Sequence, residues 1–474
     1  MPFANRLLDR PWPEDLPATL DALAEPLARL GVRNIECVAS DFGSQARGKV
    51  LSRQRFIDEA GCRLPSVVFG TTVSGGEPAE VFARLIPKTY PDLALVPDLA
   101  TLVPQPFAEQ QLSVICDLQG RVASPLGAGE VDLAGLGPRT LLKRALALLD
   151  AQGWQATVAP ELEFFLFAPW PGHGPLRAAG SPTAASVHEP RNELYGAERS
   201  SLFAPYFDAL WRACEAQRIP ITGFAHESAR SQYEVNFAPG APLAQADAVW
   251  RFKRLARELA LRLGFVASFM AKPELDDVGT GLHWHLSLAS GGRNLMTADD
   301  GGEAPALRQA IAGLQALAPA GLALLAPHAN SFVRMHRPDA APATADWGYD
   351  NRSVGLRIPA SSPANRRIEV RLPGGDANPY LALAWMLAGV HHGLTHQLQP
   401  APPVTGVARA AGNPLALPPS LAAALDALDA LPAAVFDDAF KTAYRAIKRH
   451  ELAERAACAD PHAQWDLALL LHNA

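Results

Sequence analysis

Four short stretches of the chain carry nearly all the residues able to do demanding chemistry. They are VAPELEFFLF (158–167), SQYEVNF (231–237), GLHWHLSL (281–288) and RRIEVRLP (366–373). Each alternates polar and apolar residues, the period of a β-strand, so residues i and i+2 share a face. The polar faces then hold Glu161 with Glu163, Gln232 with Glu234 and Asn236, His283 with His285 and Ser287, and Arg367 with Glu369 and Arg371. Carboxylates and imidazoles suit metal ions, and guanidiniums suit phosphates and carboxylates. With Glu227 just ahead of the second stretch, the candidate ligands are Glu161, Glu163, Glu227, Glu234, His283 and Glu369. Five carboxylates and one imidazole favour a hard dication, Mg²⁺ or Mn²⁺, over zinc. Brought together, that many carboxylates could not all stay ionised without two or more cations.

The elements that must position these groups are the strands themselves. An antiparallel sheet with one watery face would show the same alternation. Two details argue for a covered cavity instead. The polar faces lack lysine, and Phe165 and Phe167 fall on the glutamate side of the first strand, where large aromatics need cover.

A chain of 474 residues, 49% of them apolar, can bury a large core and is expected to form two or three domains. A net charge of −6 gives no footprint for nucleic acid or an anionic membrane as partner. Five scattered cysteines without a CxxC indicate a reducing compartment and no zinc cluster. The start, MPFANRLLDRPWPEDL, lacks the apolar core of a signal peptide, and the longest apolar run (379–390) is too short to span a bilayer. A cytoplasmic protein is expected.

Before residue 120, short strand-like runs (IECVASDF, GKVLS, VVFGTTV, LALVPD, LSVICDL) follow a helix near 16–30. The Gly-rich stretch 120–137 is the expected joint, separating domains at 1–120 and 137–474. Beyond it, 138–153 reads as a helix with Pro at its start and Gly after its end. A further helix is expected near 200–217. Residues 246–264 form an amphipathic helix whose basic side reads as a solvated face. Residues 168–190 read as a long loop, a lid or subunit contact, and Asn378–Pro379 as the cap and first residue of a buried helix.

Two motifs are decoys. GSQARGK (43–49) fits GxxxxGK, but Val50 stands where a P-loop needs Ser or Thr, and a strand follows. His226–Glu227 opens an HExxH whose fifth residue is Arg230.

The order and local sequence of the remaining segments are specific. DFGSQARGK, PELEFFLF, HESARSQYE, GTGLHWHLSL, NSFVRMHRPDAAP, DNRSVGLRIP, RRIEVRLP and DANPYLALA resemble, in order and over nearly the whole chain, the class I-like glutamine synthetase superfamily. The resemblance implies an α+β fold: an N-terminal β-grasp domain and a catalytic domain built on an antiparallel half-barrel sheet with flanking helices. It implies a homo-oligomer, a dodecamer, with sites shared between neighbouring copies, and L-glutamate and ATP as substrates. By position, one metal site would use Glu163, Glu227 and Glu234, and the other Glu161, His283 and Glu369. Arg334, Arg371 and the Gly279 backbone would hold glutamate. His285 and Ser287 would contact the nucleotide, and Arg352, Arg357 and Arg367 the phosphates, Arg352 acting in catalysis.

One position departs from the family. Six residues beyond Arg334, where glutamine synthetases carry a glutamate that shields the intermediate and helps bind ammonium, this chain has Ala340. The family's other ammonium-site acid is matched by Asp41, supplied by a neighbouring copy. Loss of the carboxylate implies a larger acceptor, as in γ-glutamylpolyamine synthetases and related γ-glutamyl amine ligases of amine catabolism. The alternatives are ordinary glutamine synthesis, with Asp339 taking over the role, and a non-catalytic paralogue.

Overall fold

The computed structural model describes residues 5–9, 12–13, 16–127, 129–183, 189, 192–335 and 341–474. The N-terminal part contains β1 (Asn34–Ser40), β2 (Ala46–Ser52), β3 (Cys62–Pro65), β4 (Asp92–Pro97), β5 (Val103–Pro104) and β6 (Gln111–Gln119). They form one six-stranded sheet in the order β2-β1-β6-β4-β3, with β5 on β6. The turn between β1 and β2 is the GSQARGK decoy: Ser44 takes the left-handed conformation (φ 65°) and the Gln45 amide bonds the Asp41 carboxylate. One expected strand is absent. VVFGTTV begins as a 3₁₀ turn, Ser66–Phe69, which buries Phe69 and ends at Gly70. The Gly-rich joint holds a hairpin of β7 (Arg121–Ala123) and β8 (Glu130–Asp132).

Among the described residues, the second sheet has nine strands. They are β9 (Gln155–Phe167), β10 (Ile221–His226), β11 (Gln232–Phe237), β12 (Val266–Ser268), β13 (Leu282–Ser290), β14 (Arg293–Asn294), β15 (Trp347–Tyr349), β16 (Leu356–Ile358) and β17 (Ile368–Val370). The order is β10-β11-β9-β13-β17-β16-β15, with β12 on β9 and β14 on β13. The four motif strands are therefore consecutive neighbours, though their segments are scattered over more than 200 residues. Their apolar faces (Leu162, Phe164, Tyr233, Val235, Leu282, Trp284, Leu286, Ile368, Val370) are fully buried. At about 1.5–3 kcal/mol for each large side chain removed from water, that burial sets which face turns inward and leaves the charged face to line a cavity. On the glutamate side, Phe165 and Phe167 stack at 5.2 Å and pack with Trp465, Leu467 and Met270, so that end of the face is covered as expected.

Helices α1 (Pro138–Asp150) and α2 (Pro242–Arg262) pack on β9, α4 (Pro379–Thr395) packs on α1, α2 and α3 (Pro305–Leu325), and α5 (Asp438–Ala456) meets α3 where Tyr444 donates to the Ala323 carbonyl. The helix expected near 200–217 is two, Ala197–Leu202 and Ala204–Ala216. Asn378 caps α4 by accepting from the Tyr380 and Leu381 amides, with Pro379 in the first turn. Among the described residues, no helix is long and apolar enough to cross a membrane.

The basic side of α2 is not a solvated face. Lys253 is fully buried and donates to the Ala377 carbonyl at 3.1 Å. Arg251 is buried against the Thr101 carbonyl, Arg254 pairs with Glu36 at 2.8 Å, and Arg257 donates to the Ala474 carbonyl at 2.6 Å. The helix lies between the two sheets, so both its faces are covered. Long basic side chains can bury their stems there because acceptors meet their heads. Arg139 of α1 does the same, with bonds of 2.7–2.9 Å to Asp98, Asp117 and Asp247, and so ties the N-terminal sheet to the body that carries the cavity.

Candidate active site

Strand register lines up the charged groups. Glu234 lies directly opposite Glu163, and Asn236 opposite Glu161, across β11–β9. His283 lies opposite Glu161 across β13–β9. His285 lies opposite Glu369 across β13–β17, and Arg357 opposite Glu369 across β16–β17. Directly opposed residues have Cβ atoms about 4.5–5.5 Å apart, so pairing alone draws these side chains into one row.

Glu227 enters from the turn after β10. Ser231, at φ 57°, folds that turn back so that the Glu227 amide bonds the Gln232 carbonyl at 2.8 Å. Gln232 donates through Nε2 to Glu163 and to the Gly279 carbonyl, both at 3.0 Å, and the Gly281 amide donates to Glu163 at 2.9 Å. Gly279 has no room for a side chain: a Cβ there would sit 2.1 Å from the Ala271 carbonyl oxygen.

Among the described residues, three groups have ligand atoms within 4.8 Å of one another: Glu163–Glu227–Glu234, Glu161–Glu234–His283 and Glu161–His285–Glu369. All six residues expected as ligands come together. The first trio is the expected one. In the third, His285 closes the Glu161–Glu369 pair where His283 was expected, and His283 joins Glu161 and Glu234 instead. His285 reaches Glu161 at 2.9 Å and His283 reaches it at 3.8 Å, since the two imidazoles straddle the same carboxylate on one strand face.

The basic groups flank this row. Glu369, without solvent exposure, accepts from Arg357 at 2.6 Å and from Arg371 at 2.5 Å. Arg367 donates to His285 Nδ1 at 3.1 Å. Arg334 is buried, donates to the Leu372 carbonyl at 3.2 Å, and its charge acts on Glu163. Arg352 is exposed and its charge acts on Glu227. Ser287 shares the face of His283 and His285. Among the described residues, the buried Nε atoms of Arg357 and Arg371 have no hydrogen-bond acceptor. The cavity thus keeps donors to spare for an anion.

One expected site residue lies elsewhere. Asp41 belongs to the N-terminal sheet, where it pairs with Arg47 at 2.6 Å and binds the Gln45 amide. Ala340, with Asp339, lies outside the described residues, as do several positions of the 168–190 loop. One residue was missed. Tyr195, on the loop before the Ala197–Leu202 helix, feels the charges of Glu227, Glu234, Arg352 and Glu161. No periodicity marks it, since it sits on a loop at φ 57°.

The electrostatics fit a cation-binding row. Burial, then the charges of Glu161 and Glu163, pushes Glu234 up to about 8. Burial and Glu227 also raise Glu163. Burial opposes ionisation of Glu161 and Glu369 too. However, hydrogen bonds from His283 and His285 hold Glu161 well below the usual range, and the charges of His283 and Arg371 hold Glu369 at about 2. Burial, then Arg371, lowers His283 to about 4 and keeps it a neutral ligand. Arginines thus offset the charge at one end of the row, while at the Glu163–Glu227–Glu234 end burial outweighs the charges of Arg334 and Arg352, and that end suits a divalent cation.

In the cation-free protein these raised carboxyls make stability depend on pH. A carboxyl raised in the fold contributes stability that is complete below its ordinary value near 4.5 and is lost as pH rises through about 8. Added Mg²⁺ should therefore raise the melting temperature of chelator-treated protein little at pH 5.5 and by several degrees at pH 8.5. Equal shifts at the two pH values would contradict the assignment.

A sheet whose charged face carries interleaved carboxylates, imidazoles and arginines is the catalytic core of one class of ligase. The glutamine synthetase catalytic-domain model matches residues 135–466, and the chain belongs to the glutamine synthetase family. Among similar proteins is the gamma-glutamylputrescine synthetase of Escherichia coli (strain K12), 32% identical over 376 residues, 77% of this chain and 76% of that one. The gamma-glutamylethanolamide synthetase of Streptomyces coelicolor is 34% identical over 384 residues, 80% of this chain and 79% of that one. The glutamate–isopropylamine ligase of a Pseudomonas species is 30% identical over 412 residues, 83% and 84% of the two chains. A solved GmaS/ADP complex shares the fold at TM-score 0.76 and 24% identity, covering 96% of this chain and 99% of that one.

Proposed function

We propose that this chain is an ATP-dependent ligase joining the γ-carboxylate of L-glutamate to an organic amine, a polyamine or a monoamine, through γ-glutamyl phosphate. The observation that carries the reading is the continuous row Glu234–Glu163, Glu161–His283, His285–Glu369–Arg357, with Arg371 beside it. Ala340 and the acceptors named for the similar ligases support an organic amine over ammonium.

The chemistry needs such a row. A carboxylate oxygen must attack the γ-phosphorus of ATP, anion on anion, while ADP leaves. Unit charges 4 Å apart repel by about 1 kcal/mol in water and about 4 kcal/mol at an effective dielectric of 20. Arg334 and Arg371 would fix the glutamate carboxylates, with the Gly279 backbone at its amino group. Arg352, Arg357 and Arg367 would bind phosphate oxygens and stabilise the charge of the transferring group. His285 and Ser287 would meet the nucleotide. Divalent cations, Mg²⁺ or Mn²⁺, would be held by Glu163, Glu227 and Glu234 and by Glu161, Glu369 and an imidazole, and would supply charge neutralisation. The amine nitrogen then attacks the acyl carbon, phosphate departs, and the nitrogen gives up a proton. Asp41, lying away from the row within one chain, would serve the site of a neighbouring copy in a homo-oligomer, a dodecamer in this reading. We assign 1–120 to a β-grasp unit and 137–474 to the catalytic unit, supported by their separate sheets, and place the enzyme in the cytoplasm.

Phosphate release with glutamate, ATP and Mg²⁺ should be followed against ammonium, putrescine, isopropylamine and ethanolamine. At least one organic amine should outpace ammonium, and equal or better turnover with ammonium would overturn the reading in favour of glutamine synthesis. Ala340→Glu should restore a carboxylate for a small cation and raise ammonium use by about tenfold, the size of one charge-assisted hydrogen bond, while organic amines lose turnover.

A further inference from the structure

A second group of imidazoles lies at the C-terminal end of α4, outside the carboxylate row. His391 and His392 stand in its last turns and His396 is its C-cap. His392 and His396 are four residues apart, the spacing that stacks side chains on one helix face and that lets paired histidines share one ion. Their ring centroids are 4.4 Å apart.

The local hydrogen bonds set the tautomer of one ring. His396 Nδ1 lies 2.9 Å from the His392 carbonyl oxygen. A carbonyl only accepts, so Nδ1 carries the hydrogen and Nε2 keeps its lone pair. A backbone carbonyl holding one ring nitrogen is the usual support for a metal-ligating histidine. Thr395 reinforces the turn by donating to the His391 carbonyl at 2.7 Å.

The surroundings favour a cation. The C-terminal end of a helix carries partial negative charge and unpaired carbonyls. Burial, then neighbouring histidines, lowers both His391 and His392, which leaves neutral ligands near pH 7. His391 faces Trp154, with ring centroids 6.1 Å apart, and so is less free to share an ion. Two imidazoles with water completing the shell suit borderline ions such as Ni²⁺, Cu²⁺ or Zn²⁺, and not the hard ions of the carboxylate row.

We propose that His392 and His396 form a two-imidazole site for a borderline divalent transition ion at the outer end of α4.

Untagged protein in excess Mg²⁺ should be passed over immobilised Ni²⁺, whose tether keeps the ion out of the carboxylate cavity. Wild-type protein should be retained. His392→Asn and His396→Asn should each elute at several-fold lower imidazole, and the double variant should pass through. His450→Asn, on a different helix, should behave as wild type. Equilibrium dialysis with Zn²⁺ in excess Mg²⁺ should show one fewer bound ion per chain in the double variant, with glutamate- and amine-dependent turnover unchanged as the control for folding. Flow-through of the wild type, retention of the double variant, or equal Zn²⁺ binding by both would overturn the proposal.

Discussion

Glu369→Gln is expected to lower glutamate- and amine-dependent phosphate release by about 10²–10³-fold or more, the scale for losing one preorganised electrostatic contact at a reacting centre. Glu369 joins the carboxylate–imidazole row to the arginines that flank it. It is fully buried, accepts from Arg357 and Arg371 within 2.6 Å, and sits opposite His285 in the ladder. Burial opposes its ionisation, but the charge His283 takes up below about 4, with that of Arg371, holds Glu369 at about 2. The isosteric amide keeps the volume, removes the negative charge, leaves the buried Arg371 guanidinium without its counter-ion and leaves Arg357 with Asp350 alone. Breaking a buried pair in this way costs about 3–5 kcal/mol, so a lower melting temperature should accompany the lost turnover. ATP binding measured on the folded variant separates the two effects. Near-normal turnover in a folded Glu369→Gln protein would refute the placement of Glu369 at the phosphoryl-transfer end.

Gly313→Val should cost about 3 kcal/mol or more of stability, at the upper end for overpacking a core. Helices α3 and α4 approach closely enough that a Cβ at Gly313 would lie 2.0 Å from the Gly389 carbonyl oxygen and 2.6 Å from the Gly393 nitrogen. The reciprocal position is as tight, since a Cβ on Gly393 would lie 2.0 Å from the Gln309 carbonyl oxygen. These neighbours are backbone atoms and cannot rotate away. The same helix pair buries Trp385 against Gly321, with the indole donating to the Leu317 carbonyl at 2.9 Å. A denaturant midpoint should report the loss. Gly406→Val, where an added Cβ meets nothing within 4 Å, is the control and should leave the midpoint within experimental scatter. A Gly313→Val protein as stable as that control would mean the helices do not pack this closely.

The strand-borne part of the candidate site was legible in the sequence because a strand's side-chain period is two. Alternation alone puts Glu161 with Glu163, His283 with His285, and Glu369 with Arg371. It also commits Leu162, Trp284 and Val370 to the core. The Asn378–Pro379 start of α4 was legible for a similar reason, since capping is a matter of a few adjacent residues. What lay beyond the sequence was non-local. Which strands become neighbours, and in what register, depends on pairing between segments far apart in the chain. Only that pairing opposes Glu234 to Glu163 and His285 to Glu369. The basic side of α2 reads as solvated because periodicity shows one apolar stripe, not what lies over the other side. The fold covers it with a second sheet and supplies acceptors for Arg254 and Lys253. Tyr195 enters the field of the carboxylates from a loop, where no period exists to announce it. Sequence alone therefore determined which groups face together on each strand. Tertiary structure decided which strands meet, because local sterics set the period and only the packed core sets the partners.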